Sequence, residues 1–462
     1  MKSNKIYYIT AFIFVLTVIS CKKFVQISPP ETQIINTTVF SSDGTATAAL
    51  VGIYSQMMNN SYPDFANGGI TLYSGLSSDE FINYTLSGSQ PEFYNNSLTP
   101  TNIYVKQLWG SAYSFIYAAN AVLEGLGKST EVSESIKNKL QGEAKFIRAF
   151  CHFYLVNLFG DIPYVVTSDF NENSTITRLP MSQVYQMIIA DLMEAKNLLA
   201  NDYSFSNNER TRPNKWAATA LLARVYLYTK DWTNAEIHAT EVINNVALYD
   251  TVSLNNVYKA NSKEAIWQLM PGQNTGINTR EGNRFILTSQ PTLISLSASL
   301  VNSFESGDMR KNSWVGSITV GTTTYFYAYK YKVKSGTTLS EYYMVLRLAE
   351  QYLIRAEARA NGVGAGLSGA IADVSKIRTR AGLSIYTGPN DRDSVLKAIY
   401  HERQVELFSE WGHRWFDLKR WGLADSILAI IKSSNWQPTD KLYPLPIVQL
   451  QNDPNMSQNP GY

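Results

Sequence analysis

Trp216–Ile243, WAATALLARVYLYTKDWTNAEIHATEVI, is the stretch on which the fold turns. Ala223 and Tyr226 fall on a first helix, Asp231-Trp232 make a turn, and Ala235, Ala239 and Val242 line a second helix. Small residues at such offsets let two helical backbones approach closely, while the larger ones fill the groove between them.

This spacing is that of a tetratricopeptide-like helix hairpin, a unit that buries its apolar face only by stacking on neighbours. It recurs downstream as Ala349 and Tyr352, an insert of Gly, Ala and Asn over 361–369, and then Ala370, Val374 and Ile377. Trp109, Ala112, Tyr113, Ile116, Tyr117, Asn120 and Leu123 predict another buried stripe. Further helices are expected over 46–58, 133–158 (ending at Gly160-Asp161-Ile162-Pro163) and 181–199, and the helices at 105–158 and 181–199 supply irregular hairpins. The expected class is mainly α, a helical-hairpin scaffold with loop-rich insertions and a small β-hairpin.

Two regions break the helical period. Residues 59–101 mix Asn, Ser and Gly with Tyr62, Phe65, Tyr73, Phe81, Tyr84, Phe93 and Tyr94, a composition that reads as loop carrying exposed aromatics. Residues 270–340 are poor in charge. Within them Trp314–Val320 and Thr322–Val333 flank Gly321 and alternate, placing Tyr325, Tyr327, Tyr329 and Tyr331 on one strand face.

The amino terminus carries Lys2 and Lys5 and then an apolar run of 14 residues, Ile6–Ile19. That run is too short to cross a bilayer core of about 30 Å, so residues 1–20 read as a signal-peptide core. Val18-Ile19-Ser20-Cys21 follows, with Cys21 as the thiol available for a thioether-linked lipid. Residues 21–38 read as a tether. Once Cys21 is lipidated only Cys151 remains, which leaves no pair for an intrachain disulfide.

The 462 residues are 45% hydrophobic, enough for two to four compact units and incompatible with a disordered tail protein. Only 17% are charged, whereas aromatics reach 12% with Tyr foremost. Forty basic residues face 38 acidic ones, and removal of Lys2 and Lys5 with the leader balances them. Such a chain has no global field for phosphate backbones, and no nucleic-acid partner is expected.

Sites of familiar chemistry are scarce. His152, His238, His401 and His413 never fall three or four residues apart, so helical zinc spacing is missing and no metal or other cofactor is expected. Gly362-Val363-Gly364-Ala365-Gly366 follows no predicted strand and reads as a connector. Asp79-Glu80 has the residue types of a glycosidase acid/base pair but equally of a loop-ordering pair. The charged and aromatic stretch from Glu402 to Gly422 reads as structural packing, with Arg403 pairing to carboxylates and Trp415, Phe416 and Trp421 buried. No catalytic residues are assigned.

The aromatics of the insertions suggest a different use. Sugar rings stack their C–H faces on aromatic side chains while their hydroxyls seek amides and carboxylates. Tyr73, Asp79, Asn83, Tyr84, Tyr94, Asn95, Asn96, Trp314 and Tyr325 are the candidate ligand-binding residues. Each is also of a type that packs locally in loops.

Taken together, several segments resemble the SusD/RagB family of outer-membrane nutrient-binding lipoproteins. They are the lipobox at Cys21, the Ala119-Asn120 pair, Gly142–Phe150 leading to Leu158–Pro163, the 216–243 hairpin, Arg347–Ala358 and Gly412–Gly422. The resemblance implies one SusD-like domain over 39–462, with scaffold at about 39–58, 102–260 and 341–432 and ligand-binding insertions at about 59–101 and 270–340. It implies a non-catalytic, lipid-anchored protein at the cell exterior that captures oligosaccharides, or in some members peptides, and passes them to a TonB-dependent transporter. Lys22-Lys23 depart from the acidic residues that often follow the lipid cysteine in relatives. A glycan-degrading hydrolase and a protein adaptor are the alternatives from other classes.

Overall fold

The computed structural model describes residues 36–58, 64–272, 276–432 and 435–462. The leader, Cys21, most of the tether and Tyr62 lie outside them. Ten helices carry the frame: α1 Asp43–Met58, α2 Ile103–Lys128, α3 Glu134–Phe159, α4 Met181–Leu198, α5 Lys215–Tyr228, α6 Trp232–Ile243, α7 Leu348–Ala360, α8 Gly366–Arg380, α9 Arg392–Leu407 and α10 His413–Arg420. From α2 to α9 each packs on the next in chain order, giving a stack of antiparallel hairpins. The long segment between α6 and α7 does not interrupt the stack, because α7 returns to lie on α6.

The hairpins form as their sequences dictate. Asn214 caps α5 by accepting the Trp216 and Ala217 amides, and Asp231 caps α6 by accepting that of Asn234. Ala223, Ala235 and Ala239 are fully buried at the crossing of these helices. The stripe on α2 is rotated from the expected one: Trp109, Ala112, Ile116 and Asn120 are buried, but Tyr117 points outward at 57% exposure.

Buried ion pairs fasten successive layers. Arg148 of α3 forks onto Asp191 of α4 at 2.6 and 2.7 Å. Arg224 of α5 forks onto Glu350 of α7 at 2.6 and 2.7 Å. Arg355 grips Asp373 of α8, and Arg420 of α10 grips Glu357. The recurrent motif Arg347–Ala358 is thus a row of frame clamps. Asn120 donates to Val165 O and Thr167 O and accepts from Arg148, so the Ala119-Asn120 pair holds the chain beyond Pro163 against α2.

The first insertion departs from the expected loop. Ile70–Ser77 is a helix whose every residue is buried, and Gln90–Asn95 forms another helix. Strand β1, Phe81–Asn83, pairs antiparallel with β3, Ile294–Leu296, and β2, Ala265–Leu269, pairs with β6, Tyr343–Arg347. The predicted hairpin exists as β4, Val315–Val320, and β5, Thr323–Ala328, with Tyr325 opposite Ile318 and Tyr327 opposite Gly316. Trp314 closes a short helix before β4, and Tyr331 lies beyond β5 and is buried.

A second cluster of buried charge welds the second insertion to the frame. Arg347 meets Glu264, Glu406 and Glu410, Arg310 meets Asp308, Glu402 and Glu406, and Lys330 meets Glu410. Trp411 donates its indole N–H to Met344 O, and its backbone N–H to the Thr71 hydroxyl. Gly412 adopts φ +71°, where a Cβ would stand 2.8 Å from Ser74 Cβ. No helix among the described residues is long and apolar enough to cross a membrane.

Candidate ligand-binding face

The turn after β1 is built by side-chain amides. Asn83 donates to Thr85 O and accepts the Thr85 amide, and Gln90 Nε2 donates to Asn83 Oδ1 at 2.8 Å and to Thr85 Oγ1 at 2.9 Å. The Tyr84 amide continues the β1–β3 ladder to Leu293 O. This holds the half-buried Tyr84 ring in place, its hydroxyl 3.1 Å from Ser295 Oγ.

Tyr84 links two other partly open rings. It meets Tyr325 edge to face at a centroid distance of 5.9 Å, because β5 packs beside β3. Tyr94 lies near enough that burial, and secondarily Tyr84, hold its phenol pKa above the usual value. Lys432 places Nζ 4.1 Å from the Tyr94 ring centroid while donating to Leu76 O. Burial pulls the Lys432 ammonium down to about 7, opposed by Asp79. Asn95, half-buried, stands at the end of the helix that carries Tyr94. Tyr84, Tyr94 and Tyr325, with Asn83 and Asn95, therefore sit at one partly open region where the two insertions meet.

Four candidates are placed elsewhere, and the expectation that they are open is corrected. Tyr73 is 1% exposed, stacked between Phe93 at 4.6 Å and Tyr104 at 5.0 Å. Asp79 is buried under a two-point grip from Arg414, at 2.7 Å to each carboxylate oxygen. Asn96 is buried in the left-handed conformation, φ 51°, that ends the Gln90–Asn95 helix, and its amide reaches Ser77 O. Trp314 is completely buried, donating to Leu254 O with the cations of Lys330, Arg347 and Arg380 over its ring.

Glu80 does not form an acid/base pair across a cleft either. It is buried beside Asp79, accepts the Ser409 amide, and burial with the Asp79 charge pushes its pKa up to about 8. Buried residues outside the sequence-based set support the face from beneath: Gln90 holds Asn83, Ser295 meets the Tyr84 hydroxyl, and Lys432 lies against the Tyr94 ring. The Tyr327 ring covers Gly316, where a Cβ would come within 2.3 Å of the ring. A glycine opposite an aromatic residue across a hairpin was the signal available for that contact.

A stacked-hairpin frame with two interleaved insertions that meet at a partly open tyrosine face defines the class. Residues 23–227 match the model of a family described as starch-binding and associating with the outer membrane, and residues 301–462 match that of the SusD family. SusD-like protein P2 of Formosa agariphila is 30% identical, with 99% of this chain and all of that protein covered. The chain belongs to the SusD/RagB family.

Solved structures share the fold. A SusD superfamily protein from Bacteroides vulgatus superposes with a TM-score of 0.81 at 22% identity, covering 91% of this chain and 99% of that one. Surface glycan-binding protein A from Bacteroides thetaiotaomicron, in complex with laminarihexaose, gives 0.77 at 20% identity, covering 90% and 99%.

Proposed function

We propose that this chain is a non-catalytic binding protein for oligosaccharide or polysaccharide nutrients. Its mature form is a single domain over residues 39–462, anchored at the outer membrane through a lipid on Cys21. It passes its ligand to a TonB-dependent outer-membrane transporter. The observation that carries the reading is the partly open cluster of Tyr84, Tyr94 and Tyr325. Three phenol rings set on β-ladder and helix ends offer stacking faces, and Asn95, the second Asn83 amide hydrogen and the phenol hydroxyls offer hydrogen bonds to a polyol. The laminarihexaose complex of a protein with the same fold supports a glycan as the ligand class.

A glycosidase role finds no support in Asp79 and Glu80, since one is clamped by Arg414 and both are buried. Native gels cast with a panel of polysaccharides test the reading: at least one polymer retards the mature chain, Tyr84→Ala and Tyr325→Ala each weaken the retardation, and no new reducing ends form. Absence of retardation by every glycan, or release of sugar, sinks it. Cys21→Ser is expected to free the chain from sedimented envelopes.

A further inference from the structure

A second groove, sharing no residue with the tyrosine face, lies between α2, the segment beyond Pro163 and the C-terminal residues. One lobe, with a volume of about 240 Å³, is walled by Trp109, Tyr113, Tyr117, Val165, Asn173 and Gln449. Asn173 and Gln449 also wall an adjoining lobe of about 520 Å³, which runs on to Phe170, Asn452 and Asp453. Aromatic side chains stand open along it, Tyr117 at 57% and Phe170 at 80% exposure.

The walls are fixed. Tyr113 donates its hydroxyl to Pro163 O at 2.8 Å, Asn120 holds Val165 O and Thr167 O, and Asn455 Nδ2 ties the C-terminal segment to Thr175 O. Two acceptor oxygens along these walls lack a donor among the described residues. Asn173 spends its N–H on Thr167 O and leaves Oδ1 without one. Asp453 is only 2% exposed; Oδ1 accepts the Asn455 amide, and Oδ2 has no partner. A buried acceptor left without a donor is costly, so the groove is suited to a ligand that brings hydroxyl donors.

We infer that this groove is a second carbohydrate-binding site, in which Tyr117 and Phe170 stack on sugar rings while Asn173 Oδ1 and Asp453 Oδ2, both enclosed among protein atoms, are uncovered by a small side-chain rotation to accept sugar hydroxyls. Open aromatic faces joined to acceptor-only oxygens match a neutral polyhydroxylated chain, which carries apolar ring faces and an excess of O–H groups. A long polysaccharide engaging this groove and the tyrosine face at once gains by effective concentration without any new contact. The ligand class is argued from the groove's own chemistry, but the test must separate the two sites.

The mature chain, Tyr84→Ala/Tyr325→Ala, Tyr117→Ala/Phe170→Ala, Asp453→Asn and the combined fourfold alanine variant are compared in native gels containing laminarin, starch, xylan or mannan. Circular dichroism verifies each fold, and Tyr117 and Phe170 are exposed enough for their truncation to leave it intact. The expected result is residual retardation in Tyr84→Ala/Tyr325→Ala that falls about tenfold when Tyr117 and Phe170 are also removed. Asp453→Asn is expected to weaken that residual binding too. Retardation lost wholly with Tyr84 and Tyr325, and unmoved by the groove variants, overturns the second site and leaves the tyrosine face standing. Retardation lost only with the groove variants supports this site and refutes the face. Retardation insensitive to both sets, or absent with all four polymers, overturns both.

Discussion

Trp314 and Tyr325 stand eleven positions apart and illustrate how side chains of one chemical type divide between packing and display. Trp314 is enclosed by cations and its N–H is bonded, whereas Tyr325 meets Tyr84 at a partly open surface. Trp314→Ala is expected to cost about 3–5 kcal/mol of stability in urea unfolding, and Tyr325→Ala about 1 kcal/mol or less. Equal losses for the two would contradict this division. Alternation along a strand showed that both residues belong to the hairpin region, but not which face the rest of the molecule covers. The same gap explains Tyr73 and Asp79: the partners that bury them, Tyr104 and Arg414, lie 31 and 335 positions away and no local pattern announces them.

Glu80 gives the residue scale its pH dependence. Its folded pKa is raised to about 8 from an ordinary 4.5, so the folded chain holds a proton that the unfolded chain releases. Its contribution is therefore complete below pH 4.5 and lost as pH rises through about 8. Glu80→Gln, fixed in the neutral form, is expected to flatten the fall in urea midpoint between about pH 5 and 8. A variant whose midpoint falls as steeply as that of the natural chain would contradict the assignment.

At the scale of elements, the hairpins were legible because their signals are local: alanines at the crossing, Asn214 and Asp231 at the caps, a Gly-rich connector between α7 and α8. Asn214→Ala removes the one side-chain oxygen that accepts two backbone amides at the start of α5 and should cost about 1 kcal/mol in thermal unfolding. An unchanged melting temperature would show that the cap is dispensable. The Ile70–Ser77 helix was not legible. Its eight residues are buried all round, so they carry no amphipathic period, and flanking Asn, Ser and Gly mimic a loop. On the β4–β5 hairpin, Gly316→Ala should swing the Tyr327 ring off its place, visible as shifted ring resonances in tyrosine-labelled NMR spectra. Unshifted resonances would mean that the ring does not depend on that glycine.

Over the whole molecule, β1–β3 pairing brings the two distant insertions together, and buried ion pairs at Arg414 and Arg310 lock them to the frame. Such desolvated networks are weak evidence of net stability but hold a particular arrangement against alternatives, which suits a surface that must present rings in fixed positions. The aromatic richness of the insertions was visible in composition. Which rings reach solvent depended on β1–β3 pairing between residues more than 200 positions apart, and no sequence period encodes that. The most direct test is a crystal structure of the mature chain soaked with a fragment of whichever polysaccharide retards it. A sugar ring lying against Tyr84 and Tyr325 with an intact glycosidic bond is the predicted result; a fragment bound with both tyrosines bare, or found cleaved, would contradict the account.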